Sequence, residues 1–478
     1  MTTTARPATL AELRASGWRS RTVKEELRAN LLRSIAAGDQ ILPTVLGYED
    51  TVLPAIENAI LAGHDLVFLG ERGQAKTRMA RLLVGLLDAW LPIVRGGELN
   101  DDPYAPVSPA ARAIVERDGD ATAIDWLPRD RRYAEKLATP DITIADLIGE
   151  VDPIKVAEGR YLSDELTLHY GLIPRANRGI VAINELPDLA ERIQVGLLNV
   201  LEERDVQIRG FTVRLPLDLF VVASANPEDY TSRGRIITPL KDRLGSQIRT
   251  HYPRTLEHET AIVRQEKHRF AVDAEALVPA VVVPPFMEEV IAELTHLARR
   301  SPEISQRSGV SVRVSVANTE VMEAAALKRA VRLGEPLAVP RVSDLGAVVA
   351  STVGKVELES VGDEAPEERI VERLITKALY ATFNRHVTID DLDPVVEAFE
   401  EGFIVQIGDS TPSREYVAWS REVPGLSEAV RRLRAFDVTD GAEEPAVVAS
   451  AVEFLLEGLH LARRLNKERV AGTTIYHH

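Results

Sequence analysis

Apolar residues recur at two spacings along this chain, and the change between them marks out its layout. After a polar lead, Leu27, Leu31 and Leu32 stand at helical spacing, and the pattern continues through Val52, Ile56, Ile60 and Leu61 until Gly63 ends it. Leu66-Val67-Phe68-Leu69 differs: a short apolar run between turn signals predicts a strand buried on both faces. Helical spacing returns from Thr77 to Leu91, with Met79, Leu82, Leu83, Leu86 and Leu87 on one side. Ile180-Val181-Ala182-Ile183 and Phe220-Val221-Val222-Ala223 are two further strand runs. Between them fall a helix from about Leu189 to Glu203 and an alternating stretch, Arg204 to Leu215, that predicts a hairpin. Strands alternating with helices predict a three-layer α/β domain around a parallel sheet.

Residues 95–140 are rich in Asp, Pro and Arg, show no clean period, and read as an insertion with local helices such as Ala110 to Arg117. Beyond about residue 255 the strand signals stop. Amphipathic helices are expected at Met287–Arg300, Asn318–Arg332 and Glu368–Phe383. The expected division is a helical lead over 1–40, an α/β domain over 41–255, a helical domain over 256–403 and an extension over 404–478. That extension ends in an amphipathic helix from Val447 to Asn466.

Composition narrows the class. In 478 residues, 45% hydrophobic and 27% charged is the balance of a soluble globular protein, and 5% aromatic makes the core aliphatic. A net charge of −16 argues against a broad nucleic-acid surface or an anionic membrane partner. Without cysteine there are no disulfides, thiol nucleophiles or thiolate metal sites. Met1 to Leu10 lacks the apolar core of a signal peptide, and no apolar run approaches the roughly 20 residues that span a bilayer. A cytoplasmic location is expected.

Three motifs carry chemistry. Gly70-Glu71-Arg72-Gly73-Gln74-Ala75-Lys76-Thr77 lies between a strand and a helix, where an open loop can turn its N–H groups towards phosphate. Lys76 is expected to reach the β- and γ-phosphates and the Thr77 hydroxyl to ligate Mg²⁺. Arg78 is counted with Gly70, Arg72, Gly73, Gln74, Ala75, Lys76 and Thr77 among the nucleotide-binding residues. Ala75 stands where a second glycine is expected, and its methyl group crowds the phosphates if the position takes a positive φ. The bland alternative is a strand–turn–helix corner with a chance Lys-Thr pair. The second strand then ends in Asn184-Glu185, where such ATPases place a magnesium-shell acid and a glutamate that polarises water. Glu185 is intact, but Asn184 brings an amide without charge. Asn226, at the end of the third strand, is placed to orient that water, against the alternative of a plain Asn-Pro turn.

With these motifs in this order, the chain resembles the AAA+ ATPases of the magnesium-chelatase I-subunit and MoxR group. Gly171-Leu172-Ile173-Pro174-Arg175-Ala176-Asn177-Arg178-Gly179-Ile180 carries the resemblance most sharply, and Gly47-Tyr48 matches the group's nucleotide-proximal Gly-Gln pair. The resemblance implies a P-loop AAA+ nucleotide domain with a helical lid over 256–403, ATP and Mg²⁺ as cofactors, and a homo-hexameric ring. It implies that Asn226-Pro227-Glu228 is the first sensor, and that Arg243 in Pro239–Leu244 serves the neighbouring subunit's nucleotide. Arg233 and Arg235 compete for that role. Arg313 is the second-sensor arginine, against the alternative of a solvated side chain, and residues 142–170 are an insert on the ring's working face. No Asp-x-Ser-x-Ser sequence occurs, so a von Willebrand A-type metal-adhesion domain is expected on a separate partner. The chain departs from the group at Tyr48, Ala75 and Asn184. Slow turnover and weak magnesium retention are therefore expected, with Asn184→Asp improving both unless a nearby acid such as Asp188 or Glu228 has adapted the site. A DNA-remodelling ring and a scaffold that binds ATP with little hydrolysis are the rival readings.

Overall fold

The computed structural model describes residues 6–151, 168–202, 205–208, 211–227, 235–269, 278–305, 309–357, 366–434, 444–470 and 473–478. The chain divides into two compact units, Met1–His251 and Tyr252–His478.

In the first unit, after a short helix Leu10–Ala15, comes α1 (Val23–Ala37), whose start is fixed by Thr22. The Thr22 hydroxyl accepts from the Glu25 N–H, and the Glu25 carboxylate accepts from the Thr22 N–H. Next come α2 (Val52–Leu61), β1 (Leu66–Leu69), α3 (Lys76–Leu82) and β2 (Tyr133–Leu137). β3 (Gly179–Asn184), α4 (Glu191–Glu202), β4 (Leu219–Ala225) and β5 (Ser246–Arg249) complete the frame. The strands lie in the order β5-β1-β4-β3-β2, and every neighbouring pair is parallel.

Successive residues of a strand face opposite sides of a sheet, and here both sides are covered. Ile180, Ala182, Phe220 and Val222 pack with Leu27, Ile56, Ile60 and Met79 on one side. Val181, Ile183, Val221 and Ala223 pack with Ile193, Leu197 and Leu240 on the other. Unbroken apolar runs are the sequence of such doubly covered strands. The lead folds into this unit too: Glu26 of α1 is buried against Arg132, which donates to its carboxylate at 2.6 and 2.7 Å.

Several expectations about elements need correction. The helix expected from Thr77 to Leu91 ends as α3 at Leu82 and tightens into a 3-10 turn to Leu86. Gly85 weakens helix continuation, and Trp90–Val94 instead pairs antiparallel with Ile124–Pro128. The stretch 95–140, expected as an insertion with local helices, also contains β2, a member of the main sheet. β2 reads Tyr-Ala-Glu-Lys-Leu because it is an edge strand, where charged residues are tolerated and protect the open edge. In the second unit strands do occur beyond residue 255, including a three-stranded antiparallel sheet.

That second unit is built on α5 (Pro285–Arg300), α6 (Val312–Leu333), α7 (Glu367–His386) and α8 (Pro445–Leu461). β6 (Val405–Ile407), β7 (Asn466–Val470) and β8 (Thr473–His477) form the small sheet, with β8 in the middle. Its strands are short and largely polar, so no apolar run announced them. One core reaches from Phe286 to Tyr476, and residues 404–478 contribute to it throughout. α8 was expected to be amphipathic and to run to Asn466; it stops at Leu461 and is buried on nearly every side. Its polar members are enclosed as well: Glu453 accepts from the Tyr416 hydroxyl at 2.6 Å and the Ser343 N–H at 2.9 Å. Burial pushes the Glu453 carboxyl above its ordinary pKa, against the opposing field of Arg341.

Among the described residues, no helix is long and apolar enough to cross a membrane.

Candidate functional site

The carboxyl ends of β1, β3 and β4 meet at one edge of the sheet, where ligands gather in open α/β folds. The 70–77 loop leaves β1 there, tied to β4 by the Gly70 N–H donating to the Ala225 carbonyl at 3.1 Å. Gly70 admits no side chain: a Cβ would collide with the Thr250 hydroxyl and the Gln74 amide oxygen. Those two groups are bonded to each other at 2.6 Å. Gly73 and Ala75 both take left-handed backbone, at φ +76 and +57. Ala75 thus occupies the conformation that a glycine takes more easily, at a cost of about 1–2 kcal/mol.

Tyr48, the departure from the group's Gly-Gln pair, has a definite task. Its buried hydroxyl reaches the Gln74 carbonyl at 3.0 Å and the His251 carbonyl at 2.7 Å. Burial pushes this phenol up to about 12, so it stays neutral and able to donate. Gly47 precedes it in a turn at φ +80. The Lys76 ammonium is buried over the loop, donating to the Gly70 carbonyl and to the Glu71 carbonyl at 2.9 Å. Arg72 is exposed and Arg78 half-buried.

Beside Lys76, the Thr77 hydroxyl donates to Asn184 Oδ1 at 3.3 Å, and the Ser224 hydroxyl reaches the same oxygen at 3.3 Å. The amide end, Asn184 Nδ2, donates to Glu135 Oε1 at 2.8 Å. Glu135 comes from β2 and was not foreseen. Parallel pairing sets Glu135 opposite Ala182 and Leu137 opposite Asn184, so the two-residue period puts Glu135 and Asn184 on the face that α3 covers. Arg81 of α3 holds the Glu135 carboxylate with two bonds, 2.7 and 2.9 Å, and the Tyr133 hydroxyl adds a third at 2.9 Å. The Arg81 bond, followed by those from Tyr133 and Asn184, holds the Glu135 carboxyl below its ordinary pKa despite desolvation. It is therefore a carboxylate at neutral pH.

Glu185 follows Asn184 with left-handed backbone at φ +55, and its N–H donates to the Ser224 hydroxyl at 3.3 Å. A non-glycine residue held in that region is strained, and such strain gathers at working sites. Asn226 is buried directly after β4, one residue past the Ala225 carbonyl that holds Gly70. Gly70, Lys76, Thr77, Asn184, Glu185 and Asn226 are thus brought to one edge. Arg243 ends the helix Thr238–Arg243 in an exposed position, and Arg235 is also exposed. Arg233 and Glu228 lie outside the described residues, as do residues 152–167 of the expected 142–170 insert. Arg313 belongs to the second unit, exposed in the first turn of α6.

The donor set suits Mg²⁺. Hydroxyl, amide carbonyl and carboxylate are hard oxygen donors, and the ammonium of Lys76 is set for phosphate. Among the described residues no three His, Asp or Glu side chains gather into a metal-holding group.

The model of the Sigma-54 interaction domain matches residues 157–246, from the approach to β3 through Arg243. The magnesium-chelatase 38 kDa subunit of Cereibacter sphaeroides is 31% identical over 232 residues, 47% of this chain and 60% of that protein. The corresponding subunit of Rhodobacter capsulatus is 26% identical over 234 residues, covering 46% and 59%. In sequence the first unit is similar to the AAA+ ATPases of the magnesium-chelatase I group. Its parallel sheet and the helical region that follows it in the chain are the α/β and helical parts expected from the sequence. The chain spans about three fifths of the length of these relatives. A cryo-EM-based model of the chelatase subunits BchI and BchD aligns at 19% identity over 70% of this chain and 98% of that one, with a TM-score of 0.36.

Proposed function

We propose that this chain is a ring-forming ATPase that uses Mg-ATP binding and hydrolysis to remodel or activate a partner, as a motor for metal insertion into a tetrapyrrole or for protein maturation. The observation that carries the reading is the convergence of Lys76 and Thr77 with Asn184-Glu185 on one edge of a parallel sheet. Lys76 exchanges its carbonyl partners at Gly70 and Glu71 for phosphate oxygens, at little cost because it is already desolvated. Thr77 gives its hydroxyl to the metal, with Asn184 behind it. Bound magnesium neutralises charge on the phosphates. Glu185 polarises the attacking water, and Asn226 orients it. Arg243, exposed on its short helix, completes the neighbouring subunit's site, and Arg313 acts from the lid as the second sensor. We take the ring as a hexamer and its place of work as the cytoplasm. Its partner is a separate protein carrying a von Willebrand A-type domain.

Mixing two inactive variants tests this reading. Arg243→Ala subunits and Lys76→Ala subunits, each inactive alone, regain ATPase activity when combined, because intact sites form at mixed interfaces. Zero recovery in mixed rings shown to assemble overturns the shared site.

The scaffold reading draws on Asn184, which brings no charge to the metal. The reading as a DNA-remodelling ring, such as a helicase or a transcription activator, meets two objections: the activator's Gly-Ala-Phe-Thr-Gly-Ala loop does not occur, and the net charge is −16.

A further inference from the structure

The metal corner contains a carboxylate on a strand where it was not expected. We propose that Glu135 supplies the acidic function missing at Asn184, acting as a positioning residue that turns the amide oxygen towards Thr77 and sets the magnesium site's negative charge one strand away. This rests on the nucleotide-site reading above.

The orientation follows from the partners. An amide has a donating end and an accepting end. Two hydroxyls, Thr77 and Ser224, approach the oxygen of Asn184, and only an acceptor can satisfy its nitrogen. Glu135 Oε1 is that acceptor at 2.8 Å, so the carboxylate decides which end of Asn184 meets Thr77. An aspartate at 184 would accept from both hydroxyls without assistance. Here the same two tasks, accepting from Thr77 and providing charge, are divided between Asn184 on β3 and Glu135 on β2.

The division explains why Asn184 need not weaken the site, and it reverses the effect of restoring an acid there. With Glu135 present, Asn184→Asp replaces a donor by a second carboxylate at hydrogen-bond distance. Like charges so placed drive one carboxyl to take up a proton. With Glu135 neutralised, the same substitution gives the corner back its one charge. Asn184→Asp is thus harmful alone and helpful in the Glu135→Gln background. Coupling of that sign marks two residues sharing one function.

The simpler role for Glu135 is a clamp, since Arg81 joins it to α3 by two bonds. The clamp predicts that removing either partner does the same thing. The proposal predicts that only Glu135 affects the metal, because Arg81→Gln leaves the bond from Asn184 to Glu135 in place.

The test uses the full chain and the non-hydrolysable analogue adenylyl-imidodiphosphate, with affinity measured by calorimetry in EDTA and then across a MgCl₂ titration. Circular dichroism melts confirm that each variant is folded, and Glu135→Asp serves as the conservative variant. In EDTA, wild type, Glu135→Gln, Asn184→Asp, the double variant and Arg81→Gln bind within about threefold of one another, because the phosphate loop is intact in all. The magnesium concentration giving half the tightening rises roughly tenfold in Glu135→Gln, the scale of one charge-assisted hydrogen bond. It also rises in Asn184→Asp, returns to within about threefold of wild type in the double variant, and stays near wild type in Arg81→Gln. A wild-type magnesium response in Glu135→Gln, no recovery in the double variant, or an Arg81→Gln response matching Glu135→Gln overturns the assignment. If the wild type binds no nucleotide with or without magnesium, the nucleotide-site reading fails first and takes this inference with it.

Discussion

Residues 70–77 build the phosphate side of the site from one stretch of chain, whereas the metal side draws Thr77, Glu135, Asn184 and Ser224 from four elements. The loop is shaped by backbone: close approach at Gly70, left-handed turns at Gly73 and Ala75, and a fixed Lys76. The metal corner is shaped by side chains that each depend on the next, from Thr77 to Asn184 to Glu135 to Arg81. In a loop of the first kind each residue acts largely by itself, so the effects of separate substitutions add. A corner of the second kind couples its residues, so the effect of a substitution depends on its neighbours.

Substitutions on each side sharpen that contrast. The largest effect is expected at Glu185, whose N–H donates to the Ser224 hydroxyl at this corner. Glu185→Gln lowers steady-state hydrolysis by about 10²–10⁴-fold, the usual contribution of a positioned base, and keeps ATP affinity near wild type. Phosphate release and equilibrium binding, measured side by side, check both halves; a fall in affinity as steep as the fall in rate would show that Glu185 holds the nucleotide rather than the water.

A smaller effect is expected where the loop meets its support. Tyr48→Phe removes the hydroxyl that binds the carbonyls of Gln74 and His251. Leaving buried acceptors without a donor costs about 1–3 kcal/mol, visible as a lower urea midpoint for the first unit. An unchanged midpoint would mean that Tyr48 acts by packing alone.

The smallest effect is expected at Ala75. Glycine relieves the left-handed strain of about 1–2 kcal/mol but frees the unfolded chain by about 0.4–1 kcal/mol. Ala75→Gly therefore stabilises by roughly 0.5–1 kcal/mol in the same urea experiment, and destabilisation would contradict the backbone account.

The two sides also differ in how far they were legible beforehand. Strands β1, β3 and β4 are covered on both faces, so their apolar runs stand out, and the motifs at their ends could be placed from spacing alone. β2 is an edge strand with a glutamate and a lysine inside it; its alternation is masked by charge, and Glu135 was lost with it. Single-residue spacing holds no sign that residue 135 lies beside residue 184, because parallel pairing between distant segments decides that. Tyr48 was visible as a departure, but its role needed the positions of Gln74 and His251. In the second unit helical periodicity misleads differently: α8 carries Glu453 and Glu457 among apolar residues, which reads as a polar face, while Tyr416 and Lys467 bond the two carboxylates.

The central claim is that this loop binds ATP through Lys76, and equilibrium affinity for ATP in wild type and Lys76→Ala tests it most directly. Losing a charge-assisted contact of about 1.5–3 kcal/mol predicts binding weaker by roughly 10- to 100-fold, with an unchanged melting profile. Equal affinity in the two proteins would contradict the assignment of residues 70–77 as the phosphate site.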